Sequence, residues 1–154
     1  MAEDLSDQPY AGRFADGAHR FALRIYYEDT DAAGIVYHAN HLRYFERARG
    51  DMLALLGIDH VATLRAGEGG YVVGHVDLRY SAPALLGDAL VVVSRLEEVR
   101  NSALVIQQAV MRDGQEVASG RVTVVFVGPD GRPRRQPEAW VKAYMAIRGA
   151  QAGE

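Results

Sequence analysis

Chemistry-bearing side chains crowd one stretch, Tyr26-Tyr27-Glu28-Asp29-Thr30-Asp31-Ala32-Ala33-Gly34-Ile35-Val36-Tyr37-His38-Ala39-Asn40. Its carboxylates fall just before a segment that reads as a helix. A helix start exposes unpaired backbone N–H groups and a partial positive charge. Such donors stabilise an oxyanion as it forms. A carboxylate beside them attacks an acyl carbon, or activates a water to do so. Acyl transfer needs both parts, and this stretch supplies both. On spacing alone the pattern only suggests that chemistry, because an Asp in a loop also serves to cap a turn.

The elements that must hold this stretch are legible on either side of it. Residues 21–27 are aromatic and β-branched and predict a strand; 28–37 predict a loop. Residues 40–56 contain no Pro or β-branched residue. There Leu42, Phe45, Arg49, Met52, Leu53 and Leu56 fall near helical spacing, and Gly57 is a stop signal. After a glycine-rich connection, Val76, Leu78 and Tyr80 alternate with His75, Asp77 and Arg79. Further strands are expected at 89–99, 104–112 and 117–127. Turns are expected at Arg100-Asn101-Ser102 and at Asp113-Gly114, the second a hairpin signal. A short last helix is expected at 140–147. Strand, helix, then an antiparallel meander means α+β: one curved sheet around one central helix. A single helix leaves much of such a sheet uncovered, so oligomerisation is expected.

Composition bounds the rest. The chain has 154 residues, 49% apolar and 24% charged, which fits one domain. Residues 1–20 read as a flexible arm, 21–148 as the domain and 149–154 as a loose tail. A net charge of −3 disfavours a nucleic-acid binder. With no cysteine there is no disulfide, thiolate nucleophile or Cys-ligated metal. Residues 1–8 lack the features of a secretory signal, and no apolar run approaches membrane-spanning length. A cytoplasmic protein without membrane insertion is therefore expected.

The same stretch resembles the signature of the 4-hydroxybenzoyl-CoA thioesterase family, closest to the Tol–Pal-associated acyl-CoA thioesterases. The pattern runs through Asp29-Thr30-Asp31, Gly34, Val36-Tyr37-His38 and Asn40 to Phe45-Glu46-Arg47-Ala48-Arg49. Tyr80-Ser81-Ala82-Pro83-Ala84 with Gly87-Asp88 resembles it too, and the similarity covers about residues 24–127. The resemblance implies a hotdog fold, assembled as a homodimer or homotetramer. It implies hydrolysis of an acyl-CoA thioester, or one on acyl-carrier protein, without metal or organic cofactor. It makes Asp31 the catalytic carboxylate, as nucleophile or general base, and gives the His38 amide to the thioester carbonyl. Tyr27 and Tyr37 become pocket walls, and Arg100, Asn101 and Ser102 the contact to CoA phosphates. Where relatives commonly carry a basic or larger residue, this chain has Gly74-His75.

Rival readings exist for several residues. Glu46 is a second candidate carboxylate, but Arg47 and Arg49 beside it favour a structural ion pair. His41 reads as a surface residue, and Asp29 as a partner for loop amides. Arg132, Arg134 and Arg135 read as a solvated tail or as further phosphate contacts. Asp29, Asp31, His38 and His41 lack the tight spacing of a metal site. Asp31 with His38 also suits a hotdog hydratase or dehydratase, and the fold alone also allows a non-catalytic acyl-CoA-binding module.

Overall fold

The computed structural model describes residues 7–152. Residues 1–6 of the expected arm and 153–154 of the expected tail lie outside them.

Strict alternation builds the sheet. In β4 (Ala89–Val99), Leu90, Val92, Ser94 and Leu96 are buried while the residues between them are less so. β5 (Ala103–Arg112) and β6 (Gln115–Val127) continue the pattern, with Val92 opposite Val110, Leu96 opposite Ile106 and Ile106 opposite Val122. Residues that share a face share a neighbour across the strand. One apolar inner face results, and α1 (Asn40–Leu55) lies within the curve of the sheet, touching β2 (Ala18–Arg24) and β4. Its core-facing stripe is Tyr44, Phe45, Ala48 and Met52, each 1% exposed or less. Burying each of the larger three contributes about 1.5–3 kcal/mol. That stripe is rotated from the expected one: Leu42 is exposed and Arg49 is only half-buried.

With β1 at Arg13–Ala15 and β3 at Gly70–Tyr80, the strand order is β1-β2-β4-β5-β6-β3, all neighbours antiparallel. The chain leaves β2 (Ala18–Arg24), crosses the inner face as α1, passes a short α2 (His60–Arg65) and enters β3 (Gly70–Tyr80) at the far edge. This is the hotdog arrangement. β3 pairs only with β6, and Gly120 permits their close approach, since a Cβ there would sit 2.2 Å from the Asp77 carbonyl oxygen. As an edge strand β3 is mostly exposed, and its expected two-faced alternation is scarcely visible in burial.

Two expectations about the termini change. Residues 13–20 are not a loose arm, because β1 (Arg13–Ala15) and β2 form a hairpin. Its two-residue turn, Asp16-Gly17, has φ of 54° and 74°, the left-handed values such hairpins require. Asp51 on α1 anchors the hairpin, accepting from the Gly12 amide at 2.9 Å and pairing with buried His19 at 2.6 Å. The last helix, α3 (Glu138–Ala152), starts two residues before the expected 140–147 and ends five past it. It has a reason to do so: the Gln151 amide bonds Leu96 N and O, at 3.1 and 3.0 Å. Those groups lie just beyond Ser94, where β4 loses β2 as a partner. No described helix is long and apolar enough to cross a membrane.

Candidate active site

The loop before α1 is a built object. Its entry is pinned to the 81–88 loop by Ile25 N–H on Asp88 O and Gly87 N–H on Ile25 O, both 2.9 Å. A 3-10 turn, Tyr27–Asp29, follows. Asp29, 9% exposed, takes the Tyr26 amide on its carboxylate at 2.8 Å. Its carbonyl accepts from the Tyr37 amide and from Asn40 Nδ2. Asp29 is thus the structural carboxylate of the pair, joining the loop to the first residue of α1. Its charge adds to burial in raising the Tyr44 hydroxyl pKa well above the ordinary tyrosine range.

Asp31 differs in its exposure. It is exposed and heads a tight turn in which Gly34, at φ 77°, donates to the Asp31 carbonyl. Thr30 pairs with Val36, so Asp31 folds back beside the strand that leads into α1. Its Oδ1 accepts the Ala33 amide at 2.8 Å. Oδ2 has no partner among the described residues.

The helix start is open. Its first bonds run from Asn40 N to Tyr37 O, His41 N to His38 O and Leu42 N to Ala39 O, and no side chain caps it. The amides of His38 and Ala39 therefore donate to nothing among the described residues. His38 is exposed, and its carbonyl accepts the Tyr80 hydroxyl at 2.8 Å. The Tyr37 ring lies 4.6 Å from the His38 ring, and Tyr80 stands edge-on to both His38 and His41. The expected site thus gathers Asp31, Tyr37 and His38 on one loop. Tyr27, 84% exposed, projects from its outer turn.

Arg100, Asn101 and Ser102 do not join them within the chain. β4 starts beside Ile25 and the turn lies past its other end. Eleven extended residues separate the two by about 35 Å.

Three readings of single residues change. His41 is 3% exposed rather than on the surface, and burial lowers its pKa. Its position one turn below His38 and beside Tyr44 could have signalled the inward face. Glu46 makes no direct ion-pair contact among the described residues, although its charge partly offsets the lowering of the Arg49 pKa by burial. Arg49 instead donates to Gln108 Oε1 at 3.0 Å, while Gln108 donates to Phe45 O and Ser94 Oγ. Glu46 and Arg49 line a cleft of about 310 Å³ between α1 and β3, with Leu53, Tyr71, Val72 and Val73. Tyr80, absent from the expected site, was visible as one member of an alternating strand and as the first residue of the second family-like motif, with nothing to tie it to His38.

A family model described as the thioesterase-like superfamily matches residues 26–144. The acyl-CoA thioester hydrolase YbgC of Escherichia coli O157:H7 is 35% identical over 81% of this chain and 94% of its own length. The acyl-CoA thioesterase YbgC of Haemophilus influenzae is 36% identical over 73% of this chain and 82% of its own. Among solved structures, that of a probable thioesterase from Bartonella henselae superposes with a TM-score of 0.74 at 28% identity. It covers 78% of this chain and 99% of that one.

Proposed function

The chain belongs to the thioesterase-like superfamily, and from that membership we propose that it hydrolyses an acyl-CoA thioester. One observation carries the reading: an exposed Asp31 with a free carboxylate oxygen, on the hairpin that feeds an uncapped helix start with unbonded amides at His38 and Ala39. Those amides receive the carbonyl oxygen as it gains charge. Asp31 either attacks the carbonyl carbon, expelling the CoA thiolate and leaving an anhydride for water to open, or takes a proton from the attacking water. Both routes consume one water and release acid and thiol. The Tyr80 hydroxyl on His38 O fixes the peptide next to the donors. Tyr37 and Tyr27 supply walls to the entrance.

The reading also needs a second copy of the chain. β3 is an open edge carrying Val72, Val73 and Val76, each more than a third exposed. Bare apolar edges invite pairing. Antiparallel pairing of two β3 strands about their middle is self-complementary and sets residue 80 of one copy near residue 70 of the other. The turn at 100–102 lies at the residue-70 end of the sheet, joined through Gln136 to Tyr71. Pairing thus carries that turn of one protomer toward Asp31 of its partner, within reach of one extended CoA. A cytoplasmic setting fits a cysteine-free chain acting on CoA thioesters.

A panel of saturated, aromatic and carrier-protein-bound acyl thioesters, followed by thiol release, tests the activity. Release of free thiol with matching acid supports hydrolysis. Hydration of an enoyl-CoA without thiol release, or binding without turnover across the panel, would overturn it. Sedimentation of the purified chain tests the pairing: a monomer at micromolar concentration contradicts it.

A further inference from the structure

Sequence offers Arg134-Arg135-Gln136-Pro137 as a polar run past the last strand. The fold treats its members unequally. Gln136 is 2% exposed and uses its whole amide. Its Nε2 donates to Arg100 O at 2.7 Å and Ala103 O at 3.2 Å, and its backbone N–H donates to Asn101 O at 2.9 Å. Oε1 accepts the Tyr71 hydroxyl, which in turn lies 2.9 Å from the Tyr144 hydroxyl. One side chain thereby ties β3 and α3 to the β4–β5 turn.

The consequence for the turn follows from peptide planarity. There are no cis peptides, so each N–H points away from the carbonyl of the preceding residue. With the carbonyls of Arg100 and Asn101 drawn onto Gln136, the amides of Asn101 and Ser102 are turned outward. Neither donates to any described residue. Successive outward amides form an anion-binding concavity. Charge beside it is uneven. The Arg100 guanidinium is already held by Glu98, at 2.8 Å from Nε and 2.5 Å from Nη2. Arg134 donates to the Glu68 carbonyl at 2.7 Å. Arg135, the neighbour of Gln136, is exposed and has no hydrogen bond or ion pair among the described residues.

We propose that Gln136 is a positioning residue for the phosphates of CoA: it turns the Asn101 and Ser102 amides outward and holds Arg135 beside them as an unpaired cation. This rests on the reading that the turn at 100–102 meets CoA. Binding of CoA and of pantetheine, which lacks the nucleotide phosphates, separates the parts by calorimetry on the full chain. Wild type binds CoA more tightly. Gln136→Leu weakens CoA about tenfold, the worth of losing a contact to a charged group, and leaves pantetheine unchanged. Arg135→Gln does the same. If Gln136→Leu fails to fold, Gln136→Glu, which keeps the acceptor for Tyr71 but cannot donate to the turn, replaces it. Equal loss for both ligands, or no loss for CoA, overturns the proposal while the turn reading stands. Equal wild-type affinity for the two ligands sinks the turn reading itself, and the proposal with it.

Discussion

The Tyr80 hydroxyl donates a 2.8 Å hydrogen bond to the carbonyl oxygen of His38. It joins the last residue of the edge strand to the peptide that opens the central helix. Tyr80 is 47% exposed, so the bond contributes little to overall stability and much to where the loop sits. Tyr80→Phe removes about 1 kcal/mol of positioning, so kcat is expected to fall several-fold with the melting temperature nearly unchanged. A kcat equal to wild type on an active thioester would show that His38 is held by other means.

Asp88 and Arg112 set the floor under that loop. Arg112 Nη1 lies 2.7 Å from Asp88 Oδ2 and donates to Pro83 O at 2.9 Å, while Asp88 also accepts the Leu85 amide. Burial opposes ionisation of Asp88, but the Leu85 amide and the Arg112 charge outweigh it and hold the carboxyl below its usual range. A depressed carboxyl pKa gives stability that is present above about pH 4 and lost as pH falls through the folded value. Arg112→Gln should therefore melt lower than wild type at pH 7, and the gap should close near pH 2. A gap independent of pH would contradict the pair's electrostatic role.

His19 acts with the opposite charge and the same sign. Burial lowers its pKa in spite of Asp51, so the folded chain holds it neutral. The unfolded chain takes up that proton near pH 6.5, which makes its contribution complete above that pH and lost below it. Buried His41 shifts the same way. Melting temperature should fall from pH 7 to pH 5, and His19→Gln, which can still donate to Asp51, should flatten part of the slope. An unchanged slope would mean that the hairpin anchor does not titrate.

How much of this was legible depends on the residue. Asp113-Gly114 announced its hairpin because long alternating strands flank it. Asp16-Gly17 has the same turn chemistry, at φ 54° and 74°. Its first strand is three residues long, too short for a period to accumulate in an Ala- and Gly-rich run. The loop carboxylates and the helix start could be read because both are local. The remoteness of Arg100 from Asp31 could not, since it depends on strand order, which puts the start of β4 beside the end of β2. Nor could the work of Gln136, whose partners lie 36 and 65 residues away.

The side chain at position 31 decides the proposed chemistry most directly. Asp31→Asn keeps the volume and the bond to the Ala33 amide but removes the charge needed to attack or to accept a proton. Steady-state thiol release on the best substrate of the panel, with circular dichroism and melting as folding controls, is the measurement. A fall in kcat of roughly a thousandfold with an intact fold is expected. Turnover within a few-fold of wild type in the folded variant would mean that another group, Glu46 first among them, performs the hydrolysis.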